Sequence, residues 1–256
     1  MSSMTDCVVI NDILERKVLL DWTMPGSKPP YEKANGEVYL IIRFKNDVTE
    51  VVRTACYKEK HVIENYKGRV VGIATGCTIY EGNCWPSDQS VLVIEFQNKA
   101  CAQRWLDSDR KFRDKEWPSS SSSLEIIMAP LSYKPPRSAL TFQLIALSDF
   151  MDEKFQERYV SKVTPIMDKY LIKHGVVATN CVEGVRNGWI GNRSFCVLNA
   201  FDNPRDLDAF YYSDDYSALK EYRQSACRTE NVVFTLDPNL LPPNSCVHAN
   251  HQKRMA

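Results

Sequence analysis

The chain has 256 residues, 44% hydrophobic and 25% charged, with 32 Lys and Arg against 32 Asp and Glu. This is the composition of a folded globular protein and excludes wholesale disorder. Zero net charge excludes the basic excess of an electrostatic nucleic-acid binder, and no apolar run approaches the roughly 20 residues that span a bilayer.

The N-terminal stretch MSSMTDCVVINDILERKVLL is interrupted by Asn11, Asp12, Glu15 and Arg16. It lacks the basic and apolar regions of a secretory signal, so the expectation is a cytoplasmic protein. Residues 1–36 read as an N-terminal extension, with ILERKVLL as a short helix and MPGSKPPYEKANG as a linker. A strand follows at EVYLIIRF (37–44). Asp47 and Glu50 have capping-box spacing ahead of a helix carrying Val48, Val51, Val52, Ala55, Val62, Ile63 and Tyr66, with Gly68 where a C-cap would stand. RVVGIAT (69–75) is a second strand, GCTIYEGNCWPSDQ a loop and SVLVIEF (90–96) a third strand. Asn98 caps a second helix bearing Ala102, Trp105 and Leu106, WPSSSSS (117–123) reads as a surface loop, and LEIIMAPL (124–131) is a fourth strand.

After a proline-stiffened linker, SYKPPRSA (132–139), the pattern returns. LTFQLIAL (140–147) is a strand, and a helix is expected from about Asp149 to Lys173, with a kink or break at Pro165. VVATNCV (176–182) and SFCVLNAF (194–201) are strands, Asn203-Pro204 opens the next helix and VVFTL (232–236) closes the unit. Residues 238–256 read as a disordered tail. The two stretches align with an offset of 105: Phe96 falls on Phe201, Asn98 on Asn203, Trp105 on Phe210 and Asp109 on Asp214. Trp85 falls near Trp189 and Gly68 near Gly175. This spacing suits two copies of one small domain, 37–131 and 140–237.

Each copy has the order βαββαβ, the ferredoxin-like unit, an antiparallel sheet with both helices on one face. Strands such as RVVGIAT and VLVIEF are apolar on both alternating sets, which predicts burial of both faces. The expected fold class is therefore α+β, two tandem ferredoxin-like repeats packed sheet to sheet with the helices outside.

At EGNCWPSDQSVLVIEF, RWLDSD and FYYSDDYSALKEYRQSAC the sequence resembles domain-of-unknown-function family 1330. That resemblance is similar in turn to the dimeric α/β-barrel superfamily, in which two ferredoxin-like subunits pair their sheets. It implies a pseudo-dimeric barrel made by one polypeptide, a monomer in this sense. The family has no assigned activity, whereas the superfamily includes cofactor-free monooxygenases, isomerases, haem-degrading enzymes and binding modules.

The two copies keep different halves of the family's polar set. Glu95 ends the third strand of the first copy where the second has Ala200, and Arg223 of the second copy stands against Pro118. Tyr216 matches the family aromatic where the first copy has Phe112 nearby. The expectation is one composite pocket between the sheets, with Glu95 and Arg223 as its catalytic charged pair. Trp85, Trp105, Trp189, Phe210 and Tyr216 are the expected lining of a small-molecule site. The alternative reading makes Glu95 an edge-strand charge and Arg223 a helix-end cation that favours the dipole. Two functions remain open: a cofactor-independent oxygenase or isomerase acting on a small apolar or anionic molecule, and a non-catalytic binding or scaffold protein that keeps the barrel.

The nine cysteines are odd in number and contain no C-x-x-C pair, which disfavours a disulfide framework. Cys246, His248 and His251 have ligand-type spacing but sit in the polar tail, and His61 and His174 fit helix positions better than ligand roles. Neither metal nor cofactor is expected. No P-loop, G-x-S-x-G elbow or H-E-x-x-H occurs.

Overall fold

A computed structural model of the chain describes residues 32–83, 85–108, 117, 124–152, 154–170, 175–179, 181–186, 188–190 and 195–241. In the N-terminal half β1 (Glu32–Lys33) precedes β2 (Val38–Lys45), and a 3-10 turn (Asn46–Val48) leads into α1 (Thr49–Asn65). There follow β3 (Gly68–Ala74), β4 (Thr78–Glu81), β5 (Gln89–Phe96), α2 (Lys99–Asp107), β6 (Leu124–Pro130) and β7 (Tyr133–Lys134), which pairs with β1. The C-terminal half has β8 (Thr141–Ser148), a π-helical turn (Gln156–Val160), α3 (Ser161–Lys169), β9 (Val177–Thr179) and β10 (Glu183–Arg186). It ends with β11 (Phe195–Phe201), α4 (Pro204–Tyr211), α5 (Asp214–Ala226) and β12 (Arg228–Thr235).

The strands form two five-stranded antiparallel sheets, β10-β6-β2-β5-β3 and β4-β12-β8-β11-β9. Four strands of each sheet come from one half in the ferredoxin-like order. The fifth is exchanged: β4 of the N-terminal half extends the C-terminal sheet beside β12, and β10 makes the reciprocal addition beside β6. Each exchanged strand carries a one-residue bulge, at Tyr80 between Ile79 and Glu81 and at Val185 between Gly184 and Arg186. A bulge of this kind re-aims the residues around it. In the sequence β4 falls within the expected loop GCTIYEGNCWPSDQ, and no strand is expected at β10.

The remaining edges are stitched as well. Ile73 exchanges two backbone hydrogen bonds with Asp237 (3.0 and 2.8 Å), and the Ser132 and Tyr133 amides donate to the Val176 carbonyl. The two sheets thus close on each other as a pseudo-dimeric α/β barrel. Alternation along each strand sorts the side chains by face. Tyr39, Ile41, Val91, Val93 and Ile127 pack between the sheets against Phe142, Leu144, Leu198, Val232 and Phe234. Leu40, Ile42, Leu92, Ile94 and Ile126 face α1 and α2, while Ile145, Leu147, Val197 and Val233 face α3, α4 and α5. Side chains commonly fill the interior of a barrel this narrow. No helix among the described residues is long and apolar enough to cross a membrane.

Several local expectations are corrected. The Asp47/Glu50 capping box does not form: the α1 N-cap is Val48, without a side-chain cap, and Glu50 pairs with Arg53 at 3.4 Å. The left-handed residue after α1 is Lys67 (φ 60°), and Gly68 is instead required because a Cβ there would lie 2.5 Å from the Phe96 ring. Pro165 lies inside α3 without ending it, and the irregularity is the wide turn just before it. Such a turn moves upstream carbonyls away from the proline ring. The expected second helix of this half is two helices, broken at Tyr212, with Ser213 capping α5. Residues 238–241, expected to begin the disordered tail, run along α1, where Arg53 donates to the Asn239 carbonyl and Leu240 packs on the N-terminal core.

Candidate functional site

Three amide side chains interrupt the helix-facing rows of the C-terminal sheet: Gln143 on β8, Asn199 on β11 and Asn231 on β12, all buried. Asn199 stands opposite Gln143 in the ladder, and Asn231 lies diagonally beyond it. The Asn199 Nδ2 donates to Gln143 Oε1 (3.1 Å) and the Gln143 Nε2 to Asn231 Oδ1 (3.2 Å). Asn231 Nδ2 donates to Glu81 Oε1 (3.3 Å), a carboxylate delivered by the exchanged strand β4. Asn199 is 4% exposed, and its Oδ1 has no hydrogen-bond partner among the described residues.

Glu81 is the hub of this row. Arg223 on α5, whose side chain is 0% exposed, forks onto both carboxylate oxygens at 3.0 and 2.5 Å. Tyr211 Oη (2.7 Å) and Gln224 Nε2 (3.0 Å) also donate to it. Burial pushes the Glu81 carboxyl up, but the Arg223 guanidinium and these further donors outweigh it and hold the group at about 2. With five donors directed at two oxygens, no lone pair is left for a substrate proton. Beyond the pair, Arg223 Nε donates to Tyr216 Oη (3.3 Å), whose hydroxyl meets that of Tyr159 at 2.9 Å. Tyr159 is presented by the π-helical turn. Burial, and for Tyr211 the bond to Glu81, raises both Tyr159 and Tyr211 well above the usual phenol range, so these hydroxyls stay protonated.

At the three corresponding positions the N-terminal half is apolar. Val38 faces Phe96 as Thr141 faces Phe201, so Leu40 corresponds to Gln143, Ile94 to Asn199 and, through β6 and β12, Ile126 to Asn231. Opposite Ile126 stands Arg186, where the other sheet has Glu81 opposite Asn231.

The residues nominated from sequence separate into four places. Arg223, Tyr216 and Phe210 meet in the C-terminal layer, Phe210 stacking on Tyr216 with centroids 4.3 Å apart. Trp105 lies under the helices of the other half, against Phe96 and Trp117. Trp85 and Trp189 meet edge to face at 5.4 Å, and Arg43 lies over both rings at 4.9 and 4.6 Å while pairing with Glu125. Glu95 pairs across the ladder with Arg69 at 2.7 Å, so it is not the partner of Arg223. The expected pair does draw on both halves, but its carboxylate is Glu81. Glu81, Tyr159, Tyr211 and the amides escaped the sequence reading, although amides at alternating positions within apolar strands were a visible signal.

Among the described residues no group of His, Cys, Asp and Glu could hold a metal ion, and Cys246, His248, His251 and His174 lie outside them. His61 is exposed on α1. Burial pushes the thiols of Cys196 and Cys77 up to about 12, so neither is a ready nucleophile.

A family model described as domain of unknown function (DUF1330) matches residues 142–235. No curated protein sequence matches the chain. Among solved structures the chain is similar to an anthrone oxidase-like protein, with 9% identity, 81% of this chain and 94% of that one covered and a TM-score of 0.46. Chlorite dismutase from Candidatus Nitrospira defluvii, in complex with imidazole, has 12% identity, 79% and 92% coverage and a TM-score of 0.46. A candidate monooxygenase from Fusobacterium nucleatum has 8% identity, 78% and 92% coverage and a TM-score of 0.44.

Proposed function

We propose that this chain is a tandem-duplicated barrel that binds a small polar molecule, and that its site is the layer between sheet and helices in the C-terminal half. The observation that carries this reading is the buried row Asn199–Gln143–Asn231–Glu81–Arg223–Tyr216–Tyr159, set where the N-terminal half has Leu40, Ile94 and Ile126. Apolar residues fill those three positions in the other half, so the frame does not require amides there, and the orphaned Asn199 Oδ1 costs stability unless a ligand meets it. The open lone pairs of Asn199 Oδ1 suit a ligand N–H or O–H. The space between the sheets, where the pocket was expected, is packed with side chains such as Tyr39, Phe142 and Phe234.

Binding is favoured over turnover. An oxygenase or isomerase of the expected type needs a base with a free lone pair, and Glu81 is saturated by its donors. That saturation also supports a second reading, a barrel in which the row is purely a structural rivet. Native mass spectrometry after incubation with a small-metabolite extract separates the two. Binding predicts an added mass on the wild type that the variant Gln143→Leu/Asn199→Ile/Asn231→Ile does not take up. Bare spectra for both would leave the rivet.

A further inference from the structure

We propose that the charges on the two exchanged strands make each half pair with the other and reject a second copy of itself. The two exchanges are alike in register: Glu81 stands opposite Asn231 on β12 as Arg186 stands opposite Ile126 on β6. The strand addition itself is therefore indifferent to which half supplies it, since backbone hydrogen bonds carry no identity. Only the side chains discriminate.

If two C-terminal halves paired, β10 would take the place of β4 and bring Arg186 to the seat of Glu81, against the fully buried guanidinium of Arg223. Two cations would then share a desolvated site that holds one carboxylate, and Tyr211, Gln224 and Asn231 would lose their acceptor. If two N-terminal halves paired, Glu81 would enter a row lined, among the described residues, by Leu40, Ile94 and Ile126 in place of the amides. A carboxylate buried against apolar side chains and a juxtaposed pair of cations are both strongly disfavoured. The native arrangement alone matches Glu81 to Arg223, and it also places Glu183 of β10 beside Lys99 of α2. Specificity of this kind rests on the repulsive element as much as on the attractive one.

The test uses the full chain, carrying a protease site inserted between the exposed residues Arg137 and Ser138. After cleavage, unfolding and refolding, native mass spectrometry reads the mass of every pair. The wild type returns only the mixed pair. Arg186→Glu, which leaves the Glu81–Arg223 pair untouched, returns a pair of C-terminal halves beside the mixed one. Same-half pairs from the wild type overturn the proposal, as does their absence from Arg186→Glu. Halves that stay apart on refolding overturn it too, because selection requires that they find each other.

Discussion

The two helix–sheet layers solve the same packing problem with opposite chemistry. Under α1 and α2 the sheet meets Phe96, Trp105 and Trp117 with Leu40, Ile94 and Ile126. Under α3, α4 and α5 it meets Phe210, Tyr211 and Tyr216 with Gln143, Asn199 and Asn231, and the row ends on a buried ion pair. The sheet register is common to both, down to the bulge in each exchanged strand, so at these sheet positions the contrast lies in side chains.

The largest way to break the contrast is to strand one charge. Arg223→Leu leaves Glu81 buried and uncompensated and should destabilise by about 3–5 kcal/mol, whereas Glu81→Leu/Arg223→Leu should stay near wild-type stability. Urea unfolding midpoints of the two variants measure this, and equal losses would contradict it. The same pair sets a pH dependence. The folded carboxyl of Glu81 lies near 2, below its ordinary 4.5, so its contribution is complete above that ordinary value and is lost as pH falls towards 2. About 3 kcal/mol should vanish between pH 5 and 2, because each pKa unit corresponds to about 1.4 kcal/mol. Glu81→Gln should flatten this part of a stability–pH profile.

A smaller effect follows from making the C-terminal layer resemble the other. Gln143→Leu/Asn199→Ile/Asn231→Ile removes the orphaned Asn199 oxygen and should raise stability by about 1–2 kcal/mol, read as a higher Tm. A fall would show that the amides are structural. The smallest effect is expected at the exposed rim: Lys99→Ala, which removes the pair with Glu183, should change stability by less than about 0.5 kcal/mol.

Much of the architecture was legible because it is written in local periodicity. VYLIIRF and FCVLNAF show strands, Asn98 and Asn203 do cap the helices that follow, and the recurrence of the pattern gives the two units. The site was half legible. Arg223, Tyr216 and Phe210 are expected from the sequence and do meet, while the expected carboxylate, Glu95, rests on the family's polar set and pairs with Arg69 instead. Glu81 sits in a four-residue strand within a glycine-rich loop, too short to show an alternation.

The sequence by itself determined the βαββαβ order of each half and the burial of both sheet faces, which depend on neighbours a few residues apart, and an internal likeness shows as the same local pattern recurring at an offset of 105. Only the tertiary structure decided which half each of β4 and β10 joins and which carboxylate answers Arg223. Those pairings bridge 142 residues in the case of Glu81 and Arg223, and contacts at such separation leave no periodic trace along the chain.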